Sequence, residues 1–332
     1  MTGNKNESSA FIIPHYETPQ EKYSKTNEIK ETIAGLFSQT DNDWCAIIVV
    51  DKFHNHDTHN YLSKLKAEYF PKIDVIFLEQ NVGPGISRNI GILRGIQRKC
   101  SLILFNDSDD VSHPERLKVV KKIFDENQET DVVYSTFDVI DENNQLTPIE
   151  KISTPILEIL ESHLKPLEGN DIWIRMGTET GYTNITSSTA VRIGFAYRCP
   201  FPNEITSEDF HCWMRMSAFG ATFKYTSLIP TKYRIPSFYK YQSSRMRIGL
   251  RNFNRIKTRV DSDAFFKSIE IGVMRNIIRP EEVPMLKAKF YKRLAKSMKR
   301  IREDELANDL LNKAIQMNKE SLLYSEGFFA ND

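Results

Sequence analysis

Cysteine is scarce in this chain, with four in 332 residues. Cys45, Cys100, Cys199 and Cys212 stand far apart and form no Cys-x-x-Cys pair, so neither a disulfide framework nor a zinc ribbon is readable and reduced thiols are expected. Long apolar runs are lacking too. The longest, such as Cys45–Val50 and Leu102–Phe105, fall far short of the roughly 20 residues that a membrane-spanning helix needs. The opening MTGNKNESSA is polar and has no export-signal core, which makes a cytoplasmic location the expectation. There is no internal repeat or low-complexity segment. Nor does one charge dominate: 45 Lys and Arg against 44 Asp and Glu leave +1, which gives no chain-wide reason to expect a nucleic acid partner.

What remains is the profile of a folded, enzyme-sized protein, 40% hydrophobic, 27% charged and 11% aromatic. The length allows one large domain with an appendage or two modest ones. Charge is uneven along it. From Tyr241 to Asp332 there are 19 Lys and Arg against 12 Asp and Glu, so a basic C-terminal part follows an acidic body.

Short β-branched runs alternate with helical patterns from Phe11 onward, the sequence form of a mostly parallel sheet covered by helices, an α/β fold. Strands are expected at Ala10–Ile13, Cys45–Val50, Val75–Leu78 and Leu102–Phe105. Helices are expected from the capping box Thr18-Pro19-Gln20-Glu21 to Ser38, over Asp57–Phe70, over Ser87–Arg98, and from His113 to Phe124. Asp131–Ile140 and Leu146–Ile149 read as a hairpin about Asp141-Glu142-Asn143-Asn144. Further on, the pattern gives a helix at Ile156–Leu164, strands at Ile172–Met176, Ser188–Ile193 and Thr222–Tyr225, and a helix from Thr206 to Phe219 closed by Gly220. Beyond Pro236 it is helical.

Chemistry concentrates in three places. Asp107-Ser108-Asp109-Asp110 sets three carboxylates directly after a buried strand, where open α/β sheets bind ligands. Like charges so close are unfavourable, and a hard cation, Mg²⁺ or Mn²⁺, would neutralise them; a solvated acidic turn is the plainer alternative. Asn81-Val82-Gly83-Pro84-Gly85-Ile86-Ser87-Arg88-Asn89 offers flexible backbone and a fork-shaped anion donor, suited to a phosphate, although most such loops are only turns. Glu208-Asp209 opens a helix, where acidic residues also serve simply to complement the dipole.

In order along the chain, these motifs resemble the family 2 inverting glycosyltransferases, nucleotide-sugar enzymes of GT-A fold. The resemblance rests on Phe11-Ile12-Ile13-Pro14-His15-Tyr16-Glu17, Ile48-Val49-Val50-Asp51, the Asn81–Gly91 segment, Asp107-Ser108-Asp109-Asp110 with Pro114-Glu115-Arg116-Leu117 as the DXD motif, and Glu208-Asp209 as the ED motif. It covers roughly residues 10–235. It implies a nucleotide pocket lined by Pro14, Tyr16, Glu17 and Asp51 and a donor bordered by Arg88 and Ser108. Asp107 and Asp109 are implied to hold ribose and a Mn²⁺ or Mg²⁺ ion, and Asp209 to be the catalytic base of a metal-dependent hexosyl transfer. Lys52 stands where the family often has a second Asp that accepts a hydrogen bond from uracil, and lysine cannot accept one. Downstream, Gln242, Ser243 and Ser244 occupy the region where many relatives carry a metal-contacting histidine.

The expected organisation is a GT-A domain over residues 8–235 and a basic helical extension over 236–332. Arg245, Arg247, Arg251, Arg255, Lys257 and Arg259 open that extension, and Lys287–Arg302 carries eight basic residues with Leu286, Phe290, Leu294, Met298 and Ile301 near helical spacing. The plain reading is a helix packed on the body with a solvated basic face. The sharper one is contact with the inner face of an anionic membrane, where a lipid-linked sugar acceptor would lie. A glycan acceptor, and a role in surface polysaccharide or glycoconjugate synthesis, fit the same resemblance. The alternatives are a nucleotidyltransferase, which also needs carboxylates and a metal at a sheet edge, and a non-catalytic nucleotide-sugar-binding scaffold. His54, His56 and His59 lack the further ligands of a zinc site and read as a solvated loop.

Overall fold

Apolar runs too short to span anything but a sheet build the centre of this protein. The computed structural model describes residues 8–17, 25–52, 55–236 and 248–318. β1 (Ser9–His15), β2 (Trp44–Val50), β3 (Ile73–Phe77) and β4 (Leu102–Phe105) run parallel in the order β3-β2-β1-β4. Every residue of β1 and β2 is buried, which is why their sequences do not alternate. One face of the sheet packs on α1 (Thr26–Phe37), α2 (His56–Tyr69) and α4 (Arg116–Glu126) through Ile29, Leu62 and Leu117. The other receives α3 (Gly83–Gln97), which lies so close to β1 that a Cβ on Gly91 would meet Ile12 Cγ2 at 2.5 Å.

Beyond β4 the sheet continues β6-β5-β7, with β6 (Thr189–Arg192) antiparallel to both β4 and β5 (Thr130–Ile140), and β7 (Thr222–Arg234) parallel to β5. The expected hairpin closes at its turn, where the Asp141 N–H donates to Gln145 O and the Thr147 N–H to Val139 O, but its second strand does not extend. Leu146 makes one isolated bridge to Ile140, Ile149–Lys151 forms a 3₁₀ turn, and β5 takes its ladder partners from residues 50 to 100 positions away. β7 also runs nine residues past the expected end at Tyr225.

Two other expectations change. Gly83-Pro84-Gly85 is the first turn of α3 rather than a loop ahead of it, with Pro84 in the first turn, where its missing N–H costs nothing. Ile172–Met176 is not a strand: α6 (Trp173–Arg175) passes into a π turn over Met176–Thr180. A short buried apolar run has no period long enough to distinguish the two states. The helix expected at Ile156–Leu164 is α5 (Thr154–Ser162), and Gly220 closes α8 (Glu208–Ala218) at φ 94°, as a left-handed cap requires. The capping box at Thr18–Glu21 lies outside the described residues.

The C-terminal part is helical: α7 (Ile193–Arg198) and α8 are followed by α9 (Leu250–Met274), α10 (Val283–Arg300) and α11 (Asp304–Met317). Its apolar stripe is used inside the molecule. Phe265 and Phe290 stack with ring centroids 4.6 Å apart and join Trp173, Met176 and Trp213 in the core that also holds Ile12 and Ile47. Phe290, Leu294 and Met298 of α10 are buried there, and Lys289, Lys296 and Arg300 take outer positions, as the plain reading of that helix expects, while Arg293 turns inward. No described helix is long and apolar enough to cross a membrane.

Candidate functional site

Strand ends supply the first half of the site. Pro14 occupies a central strand, where it would normally break the ladder. Its backbone faces β4, but β4 ends at Phe105 opposite Ile12, so Pro14 lies past the last rung and no bond is lost. Tyr16 and Glu17 follow β1. Glu17 accepts from Thr58 Oγ1 at 2.7 Å and from His15 Nε2 at 3.2 Å. A carboxylate cannot donate, so Nε2 carries a proton toward Glu17, and Nδ1 pairs with Ser108 Oγ at 3.0 Å. Burial pushes the Glu17 carboxyl up, but the bonds from His15 and Thr58 outweigh it and hold it below its ordinary value. Asp51, 2% exposed at the end of β2, accepts the Val82 and Gly83 N–H groups at 2.7 and 2.8 Å and so anchors the start of α3. Its burial raises its carboxyl against those two bonds.

The Asp107–Asp110 turn is fixed from behind. Thr32 Oγ1 donates to the Ser108 and Asp110 carbonyls, Asn106 to those of Asp107 and Asp110, and Arg234 Nε to that of Asp109. The fully buried Asp110 accepts the Arg234 N–H at 2.8 Å. Burial, then Asp109 and Asp107, push its carboxyl well above the ordinary range. Asp110 is thus a structural member of the turn, while Asp107 and Asp109 are partly exposed.

Arg88 joins the two acidic motifs. Its Nη2 donates to Asp107 Oδ1 and its Nη1 to Glu208 Oε1, each at 2.7 Å. Burial lowers its pKa, but Asp107 and Glu208 outweigh that and raise it. Ser207, at φ 61°, turns the chain so that α8 starts with Glu208 and Asp209. Asp209 Oδ1 accepts the Phe210 N–H at 2.7 Å, and Oδ2 lies 3.5 Å from Thr186 Oγ1. Burial first, and Glu208 second, push the Asp209 carboxyl up to about 7. A carboxylate poised near neutrality is what proton abstraction at physiological pH requires.

Arg88, Asp107, Glu208 and Asp209 line one end of a cavity of about 390 Å³. Its remaining walls come from α5, the segment before β6, α9 and α10, including Glu158, Tyr182, Lys257 and Arg293. Pro14, Tyr16, Glu17, Asp51, Ser108 and Asp109 are not among its lining residues. Glu17, with Lys52, Asn55 and His59, lines a separate small crevice at the same sheet edge. His56 and His59 belong to the first turn of α2 rather than to a loop; His54, Gln242, Ser243, Ser244, Arg245 and Arg247 lie outside the described residues.

Sequence reasoning gave no role to His15, although it sits inside the first strand motif, nor to Tyr182, and it took Lys257 and Arg293 only as part of the basic extension. Nothing distinguishes Arg293 from the other basic residues of α10 until the fold shows which one turns inward. For a metal, no group of three or more His, Cys, Asp or Glu among the described residues is close enough to enclose an ion. The partly exposed carboxylates of Asp107 and Asp109 suit a hard cation that keeps phosphate and water oxygens as its other ligands.

The family model for glycosyl transferase family 2 matches residues 11–193. An uncharacterized glycosyltransferase of Methanocaldococcus jannaschii is 26% identical over 262 residues, 78% of this chain and 81% of that protein. A bifunctional glycosyltransferase of Dictyostelium discoideum is 29% identical over 139 residues, 42% of this chain and 18% of that protein. Among solved structures, the mannosyltransferase PcManGT of Pyrobaculum calidifontis, in complex with GDP-Man and Mn²⁺, superposes with a TM-score of 0.56 at 13% identity, covering 97% of this chain and 80% of that one. S. aureus TarS in complex with UDP does so at 0.52 and 16%, covering 98% and 93%. The fold is thus of the GT-A kind, with a helical C-terminal region.

Proposed function

The chain belongs to glycosyl transferase family 2 and is a glycosyltransferase, and from that premise we propose that it transfers a sugar from a nucleotide-sugar donor to an acceptor hydroxyl with inversion, Asp209 serving as the general base. The observation that carries this reading is the Asp209 carboxyl lining a cavity beside the clamp in which Arg88 ties Asp107 to Glu208, with burial pushing that carboxyl up toward neutrality. The acceptor hydroxyl is too weak an acid to attack unaided. Its proton passes to Asp209 as its oxygen bonds to the anomeric carbon, while the bond to the nucleoside diphosphate breaks on the opposite face.

The nucleotide belongs at the strand ends, against Tyr16, Glu17, Asp51 and Ser108, with Pro14 shaping the floor. UDP-GlcNAc and GDP-Man, named for the structural neighbours, are of the proposed donor class. Arg88 acts as a positioning residue, because its two terminal nitrogens are engaged by Asp107 and Glu208. Mn²⁺ or Mg²⁺ would be held by Asp109 with Asp107, and when bound would neutralise charge on the departing diphosphate. A glycan or lipid-linked sugar is the proposed acceptor, in surface polysaccharide or glycoconjugate synthesis, with the basic outer face of α10 available to an anionic membrane.

The test is Asp209→Asn, with donor affinity, melting temperature and transfer rate measured on one preparation. Lost transfer with retained donor binding supports the assignment. Near-normal transfer removes it, and lost donor binding moves Asp209 to the nucleotide site.

A further inference from the structure

Arg293 enters the cavity from α10 with its bonding incomplete. Nε donates to the Gly177 carbonyl at 3.1 Å, and the guanidinium lies over the Phe290 ring, 5.3 Å from its centroid. Nη2 is buried and has no hydrogen-bond partner among the described residues. Among the described residues no carboxylate pairs with Arg293, and burial pulls its pKa below the ordinary value.

The acids nearby are already engaged. Asp261 Oδ2 takes Lys257 Nζ at 2.6 Å, and its Oδ1 lies 3.0 Å from the Tyr182 hydroxyl. Glu158 Oε1 accepts from Arg300 at 2.9 Å; Glu161, which Arg300 also approaches, is 57% exposed and solvated. Tyr182 in turn contacts Ser207, so this wall adjoins the turn that aims Asp209. A guanidinium desolvated beside carboxylates, Asp261 and Glu158, that are bonded to other partners is costly, and one that lines a ligand-sized cavity favours a ligand that pairs with it.

We infer that this wall binds an anionic group, a carboxylate or a phosphate, on the acceptor, and that Arg293 receives it. The inference rests on the sugar-transfer reading above, which assigns the cavity at Asp209 to the acceptor. Of the residues assigned to the donor, Arg88 and Asp107 line this cavity with Asp209, while Tyr16, Glu17, Asp51 and Ser108 do not; the wall from α9 and α10, which carries none of them, is assigned to the acceptor. The enzyme therefore selects a charged sugar over a neutral one of the same ring, through an anionic oxygen acceptor for the Arg293 guanidinium that a neutral sugar does not supply.

Calorimetry on the full chain, with glucose, glucuronate and glucose 6-phosphate as probes in the presence of Mn²⁺ and UDP or GDP, tests this. At least one charged sugar is expected to bind roughly 10- to 100-fold more tightly than glucose. Comparing glucuronate with glucose 6-phosphate identifies carboxylate or phosphate as the group. Arg293→Gln should erase the preference, with UDP and GDP affinities changed less than about twofold. Ser297→Glu keeps the arginine and offers it a carboxylate one helical turn along the same cavity wall, and it should erase the preference too.

Equal affinity for the three sugars in the native protein overturns the inference without needing any variant to fold. So does a preference that survives both substitutions, or an equal loss of nucleotide affinity in Arg293→Gln, which would give the arginine to the donor. These are binding measurements without turnover. Equal sugar affinities beside Asp209-dependent transfer would sink the charged-acceptor inference alone. A charged-sugar preference in a protein that cleaves no nucleotide sugar would instead remove the assignment to an acceptor.

Discussion

At one end of the cavity, Asp107, Glu208 and Asp209 meet around Arg88; at the other, Arg293 and Lys257 arrive from α9 and α10 among carboxylates that already have partners. The first end is a set of short motifs at strand and helix ends, where residue type and sequence position together announce chemistry. The second is a side of a long basic segment whose residues look interchangeable in sequence. Local motifs mark where charge must be neutralised, whereas a lone inward-facing arginine acquires meaning only from what its neighbours fail to supply.

The largest expected effect strikes the acidic end. Asp209→Asn should lower transfer by roughly 10²–10⁴-fold in steady-state assays. In the native enzyme the rate should fall about tenfold per pH unit below about 7, as the base takes up its proton, and the residual rate of the variant should lack that limb. The stability effect has the opposite sign. With a folded pKa of about 7 against an ordinary 3.8, ionising Asp209 costs stability progressively between those values, so Asp209→Asn should raise the melting temperature above pH 7 and lose that gain as pH falls toward 4.

Next comes the helical end. Phe265→Ala removes a fully buried ring stacked on Phe290 and should cost about 3–5 kcal/mol in denaturant unfolding. Because Phe265 shares one core with Trp213 and Ile47, a single transition should shift as a whole. A separate early transition with nucleotide binding intact would show that the two ends fold independently and would break the comparison.

Asp109→Ala should weaken Mn²⁺-dependent nucleotide binding by roughly tenfold or more by calorimetry, and unchanged affinity in a folded variant would remove Asp109 from the metal site. The smallest effect belongs to Asp110, the same residue type one position along. Asp110→Asn keeps the acceptor for the Arg234 N–H and removes a carboxyl that burial already opposes ionising, so melting should move by no more than about 1 kcal/mol equivalent. A loss of binding as large as that of Asp109→Ala would erase the distinction drawn between them.

Much of the first half of the fold was legible because its strands are buried on both faces and its helices are amphipathic. β4 matches the expected Leu102–Phe105 at both ends, and β1, β2 and β3 fall within three residues of expectation. The stretch from Asp141 to Pro202 was read less well. β5 kept only the turn end of the expected hairpin and took its ladder partners from far along the chain, and Ile172–Met176 became helical under Trp213 and the C-terminal helices. Tertiary burial decided there between states that local propensity leaves nearly equal.

For the site, the sequence by itself determined which carboxylates stand at strand and helix ends, because a buried strand followed by acids leaves them nowhere to go but the sheet edge. Only the tertiary structure decided what those groups do to one another. Arg88 and Glu208 are 120 residues apart and meet at 2.7 Å; Asp209 is lifted to about 7 by the burial that this packing creates. Arg293 likewise became a candidate ligand-binding group when Lys257 and Arg300 took the nearby acids and left it buried with one donor unmade. Pairing and desolvation are properties of neighbours in space, and a linear chain does not name those neighbours.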